Sequence, residues 1–194
     1  MKLNLRRAIL ALALVATGSA FAAQAGFRMV KVPGVRGDSD LISVALYYPT
    51  SAVENALALG PFTAHVAAGA AADSPVKALI ILSHGNAGTE VGQSSLAEAL
   101  ARGGYLVAAV RHPGVKWQDS SLIAKGAASY FAEPSQQASR VIDGLLQAPD
   151  WKDRIAKDDK GPLVAAVGHS AGGYTLLALA GARPVLRPIP THCS

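Results

Sequence analysis

The sequence predicts an α/β domain, a mostly parallel sheet flanked by helices. Three observations predict it. Residues 78–82, 105–110 and 164–168 are short apolar runs without polar alternation, the pattern of strands buried on both faces. Stretches with helical spacing of apolar residues lie between and after them, and this alternation implies a covered parallel sheet. Glycine-rich turns with a histidine follow two of the runs, at 84–88 and 168–173, where such sheets place their sites.

The chain has 194 residues, enough for one domain. Met1 to Arg7 is a short basic start, and Ala8 to Phe21 is apolar but too short to span a bilayer. Ala20-Phe21-Ala22 and Ala23-Gln24-Ala25 both offer small residues at the spacing a signal peptidase needs. Residues 1–25 therefore read as a secretory signal peptide cut after Ala25, with a periplasmic or secreted product. No stable membrane insertion is expected after cleavage. Without Lys2, Arg6 and Arg7 the remaining 15 basic residues face 13 acidic ones, a net charge of +2. The basic balance is thus partly a feature of the leader, and no basic cluster with interleaved aromatics argues for nucleic acid. Cys193 is the single cysteine, and no Cys/His set has metal-ligand spacing, so neither a metal nor another cofactor is expected.

Each element follows in order. Phe27 to Val32 alternates apolar and polar residues, and Leu41 to Tyr48 forms a second strand ended by Pro49. The short gap between them favours an antiparallel pair. Residues 50–75 are rich in Ala and Gly and read as a surface excursion with one helical turn, with His65 solvated. After the strand at 78–82, Glu90 to Arg102 reads as an amphipathic helix with Leu96, Ala99 and Leu100 inward, closed by Gly103-Gly104. Pro134 opens a helix to about Gln147 with the stripe Ala138, Val141, Ile142, Leu145 and Leu146. Val164 to Gly168 is the fifth legible strand, and a helix follows from Tyr174. That last strand would form an exposed apolar edge, which invites self-association.

Gly168-His169-Ser170-Ala171-Gly172 joins this strand to its helix. Such a turn lifts a serine hydroxyl out of the sheet, and its flanking glycines, Gly168 and Gly172, leave room for the bend. Ser170 is the candidate nucleophile. The N–H of Ala171, at a helix N-terminus, is the natural first donor to an oxyanion. The second donor is expected from the turn His84-Gly85-Asn86-Ala87-Gly88, with Asn86 and Gly85 as the candidates. His169 belongs to the elbow, and Asp143 reads as a solvated helix charge.

Tyr47-Tyr48-Pro49-Thr50, Leu82-Ser83-His84-Gly85-Asn86-Ala87-Gly88, His112-Pro113-Gly114 and Gly168-His169-Ser170-Ala171-Gly172-Gly173-Tyr174, in this order, resemble the α/β-hydrolase superfamily. They most resemble its exported bacterial branch, described as dienelactone-hydrolase-like or related to platelet-activating-factor acetylhydrolases. The resemblance runs from Gly26 to about Pro184. It implies a serine esterase or lipase acting on a small-molecule carboxylic ester through an acyl-enzyme, in a sheet of about eight strands, with the triad in the order serine, acid, histidine. Residues 171–194 contain no Asp or Glu, and their one histidine, His192, comes before any further strand. The expected reading is that 26–194 is the N-terminal portion of a single, truncated domain with about five of eight strands, which turns over little ester by itself. The alternatives are a non-catalytic remnant or ligand-binding module of the same fold, and a peptidase or thioesterase using the same elbow.

Overall fold

The computed structural model describes residues 23–34, 37–73 and 75–183. His192 and Cys193 lie outside the described residues. The first hairpin pairs β1 (Gln24–Gly34) with β2 (Gly37–Thr50) antiparallel, Gly26 opposite Tyr48 and Val30 opposite Val44. Gln24 and Ala25, assigned to the leader from sequence, are the first two residues of β1, and Ala25 is fully buried.

Residues 50–75 depart from the expectation of a helical excursion. They form a second hairpin, β3 (Asn55–Leu59) and β4 (Phe62–Ala68), around Gly60-Pro61, with Gly60 at a φ of +64°. β4 then runs parallel to β1, Ala67 opposite Gly26. The alternation is present in the sequence. Ala64 and Val66 point inward while Thr63 and His65 face water, but alanine gives this pattern too little contrast to read.

Next come β5 (Leu79–Ser83), α1 (Ser94–Arg102), β6 (Leu106–Val110), the short α2 (Ser121–Ala124) and α3 (Ala127–Gln147). A two-residue ribbon, β7 (Lys157–Asp158) with β8 (Gly161–Pro162), precedes β9 (Val164–Gly168) and α4 (Ala171–Leu179). The main sheet has the order β3-β4-β1-β2-β6-β5-β9, with β5 parallel to both β6 and β9. β9 is an edge among the described residues. Its Val164 and Val167 are 41% and 40% exposed, although their sequence suits a strand covered on both faces.

Strand alternation divides the core in two. Leu79 and Ile81 pack with Val44, Leu46, Leu106 and Val110 beneath α3, through Ala138, Val141 and Leu145. Ile80 and Leu82 point the other way, with Tyr47, Val107 and Ala109 beneath α1. The buried face of α1 is Ser94, Ala97, Glu98 and Ala101, one residue round from the expected stripe, and Leu96 is 40% exposed. Small residues let α1 lie close to the sheet. The Glu98 carboxylate enters that face because Arg102 pairs with it at 3.3 Å and with Glu54 at 2.6 Å. α3 starts seven residues before Pro134, which sits inside the helix. No helix among the described residues is long and apolar enough to cross a membrane.

Candidate active site

The site is built where β5 and β9 end side by side. Ser83 is opposite Gly168 in that parallel pair, so the turns that leave the two strands meet. Ser170 has a φ of +52° and a ψ of −122°. A non-glycine residue rarely adopts this backbone, and the strain is held by close packing of both flanking glycines. A Cβ at Gly168 would lie 2.4 Å from the Gly172 carbonyl oxygen, and one at Gly172 would lie 2.2 Å from the Ser83 carbonyl oxygen. The His169 N–H bonds the Ser83 carbonyl at 3.1 Å and ties the elbow to β5. α4 then starts at Ala171, which directs its free N–H groups and positive dipole end toward the serine.

The 84–88 turn reaches the same point. A Cβ at Gly85 would lie 3.2 Å from the Ser170 Cβ and 3.1 Å from His169 Nδ1, a tight contact that glycine avoids. Ala87 has a φ of +58°, a second strained residue that the sequence did not mark. The Ala87 N–H bonds Val115 O at 2.9 Å and the Gly88 N–H bonds Gly85 O at 3.1 Å. Among the described residues no hydrogen bond engages the N–H of Asn86 or of Ala171. A cavity of about 310 Å³ opens here, lined by His84, Gly85, Asn86, Gly88, His169 and Ser170. The structure thus brings together Ser170, Gly85 and Asn86, with Ala171 next in chain.

A buried polar network lies behind the turn. The His112 ring accepts from the Ser83 hydroxyl at Nε2 (2.9 Å), and its Nδ1–H donates to Gln137 Oε1 (3.0 Å). The Gln137 amide nitrogen donates to Pro113 O at 3.1 Å, which fixes the amide orientation and hence this tautomer. His84 is placed likewise. Its Nε2 accepts the His112 backbone N–H at 3.2 Å, so Nδ1 carries the proton donated to Gly85 O at 2.7 Å. Burial pushes His112 down to about 3, the nearby His84 adds to this, and the Gln137 bond opposes it. Burial also lowers His84, against the pull of the Gly85 carbonyl. Both rings are neutral hydrogen-bonding struts. The motif His112-Pro113-Gly114 located part of this network, but Ser83 and Gln137 carry no sequence signal of their own.

No side chain among the described residues hydrogen bonds to Ser170. His84 and His112 are engaged as described, and His65 is on the outer face of β4. His169 is exposed beside the serine, with its Nδ1 turned toward Gly85. The described residues also contain no cluster of three His, Cys, Asp or Glu able to hold a metal.

The strand order, the strained serine between packed glycines and the glycine turn opposite it decide the architecture. The chain has the α/β-hydrolase fold. Solved structures agree. The ferulic acid esterase of Streptomyces cinnamoneus matches with a TM-score of 0.57 at 17% identity, over 87% of this chain and 58% of the esterase. The dienelactone hydrolase of Anabaena variabilis matches with a TM-score of 0.51 at 16% identity, over 83% and 59%. The acylaminoacyl peptidase of Pyrococcus horikoshii matches with a TM-score of 0.52 at 12% identity, over 82% and 22%. The chain therefore spans about three-fifths of the first two and about a fifth of the third. No protein-family model and no curated protein sequence matches it.

Proposed function

We propose that this chain carries the nucleophile and oxyanion half of an exported serine hydrolase that acts on carboxylic esters. One observation carries the reading. The strained Ser170 sits exposed at a strand–helix junction, in one cavity with the glycine turn, and the N–H groups of Ala171 and Asn86 are free. Ser170 Oγ would bond to the acyl carbon while the carbonyl oxygen, becoming an oxyanion, draws on those two donors. The alcohol then leaves with the proton taken from Ser170, and water releases the acid in the second half-reaction.

The base that takes the proton and the acid that orients it are not among the described residues. A site with nucleophile and donors but no base keeps only a residual part of the rate. Hydrolysis of p-nitrophenyl butyrate tests the reading, with this chain and with a form extended along its own reading frame. The extended form is expected to turn over quickly and this chain slowly. If neither hydrolyses the ester, the esterase reading fails. The unengaged Ser170 favours a second reading, a ligand-binding module that keeps the pocket without chemistry. Substrate profiling of the extended form separates esters from the thioesters and peptides that the same elbow could attack.

Export enters with this reading. A cut after Ala22 leaves β1 intact, whereas a cut after Ala25 removes a fully buried residue. We place the mature N-terminus at Ala23.

A further inference from the structure

A second cavity, of about 480 Å³, adjoins the one that holds Ser170. The two share Gly88, Thr89 and Gly92 in their walls, so they lie side by side along the segment that follows the glycine turn. The far wall is the tip of the β3–β4 hairpin, Leu59, Pro61 and Phe62, and the rim carries Trp117. Trp117 is 58% exposed, a large ring left in water beside an open cavity. It is held there by design of the backbone: its N–H bonds Gly88 O at 2.9 Å, which fastens the 115–117 segment to the glycine turn.

The cavity has two charged residues, Glu90 and Arg111. Glu90 is 8% exposed, and its Oε2 faces Arg111 Nε at 3.5 Å. Both of these atoms are buried without a hydrogen-bond partner, so the two charges compensate each other. Apart from Thr89, the remaining walls are apolar or glycine. The volume lies in the range of sites that take small molecules.

From this geometry we infer that the hairpin-tip cavity is a subsite for an uncharged apolar arm of the ester, an alkyl or aryl group, with Phe62 and Trp117 as its specificity-determining residues. The inference rests on Ser170 as the reacting atom, but its test does not. In Ser170→Ala the ester bond persists, so methyl alkanoates and n-alkyl acetates of increasing length serve as binding probes. Trp117 emission is the readout. Trp151, the second tryptophan, is buried, and Trp117→Phe removes the signal of interest.

Affinity is expected to rise about fourfold per methylene in one of the two series. The methyl alkanoate series assigns the cavity to the acyl side, and the acetate series to the alcohol side. Gly92→Leu is the blocking variant. A Cβ there meets nothing closer than 3.6 Å, and Phe62 Cζ lies 3.9 Å away, so the larger side chain enters the cavity without backbone strain. It should abolish the length dependence. Binding that does not change with length, a dependence that survives Gly92→Leu, or octanoate binding more tightly than methyl octanoate would overturn the inference. A length-dependent signal in a chain whose Ser170 proves unreactive would retain the subsite and reject the esterase reading.

Discussion

Gly172 and Gly173 are neighbours in α4, and their replacement by alanine should have opposite effects. A Cβ at Gly172 meets Ser83 O at 2.2 Å and His84 O at 2.6 Å. Both are backbone atoms of β5 and the turn after it, so no side-chain rotation relieves the clash. Ordinary contact needs α4 to retreat by about 1 Å, and such overpacking costs about 1–3 kcal/mol. The retreat also moves the Ala171 N–H, and loss of one oxyanion donor typically costs about a hundredfold or more in rate. A Cβ at Gly173 meets its nearest atom, Gly168 O, at 3.5 Å, an ordinary contact. There the substitution adds helix propensity worth about 0.5–1 kcal/mol. The two variants should therefore differ by about 2–4 kcal/mol. Urea unfolding followed by circular dichroism would read this as a midpoint difference of about 1–2 M. Labelling of Ser170 by a fluorophosphonate should collapse in Gly172→Ala and persist in Gly173→Ala. Equal stability and equal labelling would refute the packing argument for the elbow.

Other expectations follow from the same geometry. Ser170→Gly relieves the positive φ and should stabilise the fold by about 1 kcal/mol while removing the reactive hydroxyl, as urea unfolding and probe labelling would show. His112 is held near 3 in the fold, so below its ordinary value of 6.5 the unfolded chain takes up a proton that the native chain refuses. Its contribution to stability is complete above pH 6.5 and declines as the pH falls toward 3, with a loss of about 2 kcal/mol by pH 5. Urea midpoints at pH 7 and pH 5 measure this, and His112→Gln should flatten the slope. Under the proposed export, the intact mass of the mature protein should start at Ala23, and a start at Gly26 would contradict the placement of Ala25 in the core.

The central half of the sheet was legible because its signal is local. Leu79–Leu82 and Leu106–Val110 are apolar without interruption, the pattern of a doubly covered strand. The elbow was legible for a similar reason, since a strand, a Gly-x-Ser-x-Gly turn and a helix are contiguous in the chain. The β3–β4 hairpin was not. Asn-Ala-Leu-Ala-Leu alternates residues of similar apolarity, and β1, the strand that β4 joins, lies about 40 residues upstream. The face of α1 was misjudged because the buried Glu98 depends on an ion pair with Arg102 and Glu54 that periodicity does not record. The His112–Gln137 strut was legible only at His112-Pro113-Gly114, because its other partners come from β5 and α3.

Mass-spectrometric mapping of a fluorophosphonate adduct on the full chain, as a function of pH, tests the central claim most directly. An adduct on Ser170 alone is expected, lost in Ser170→Ala. Its rate should climb steadily with pH, because no base among the described residues takes the proton. Absence of any adduct, or adducts scattered over other serines, would contradict Ser170 as the nucleophile. A rapid adduct with a plateau near neutral pH would contradict the missing base.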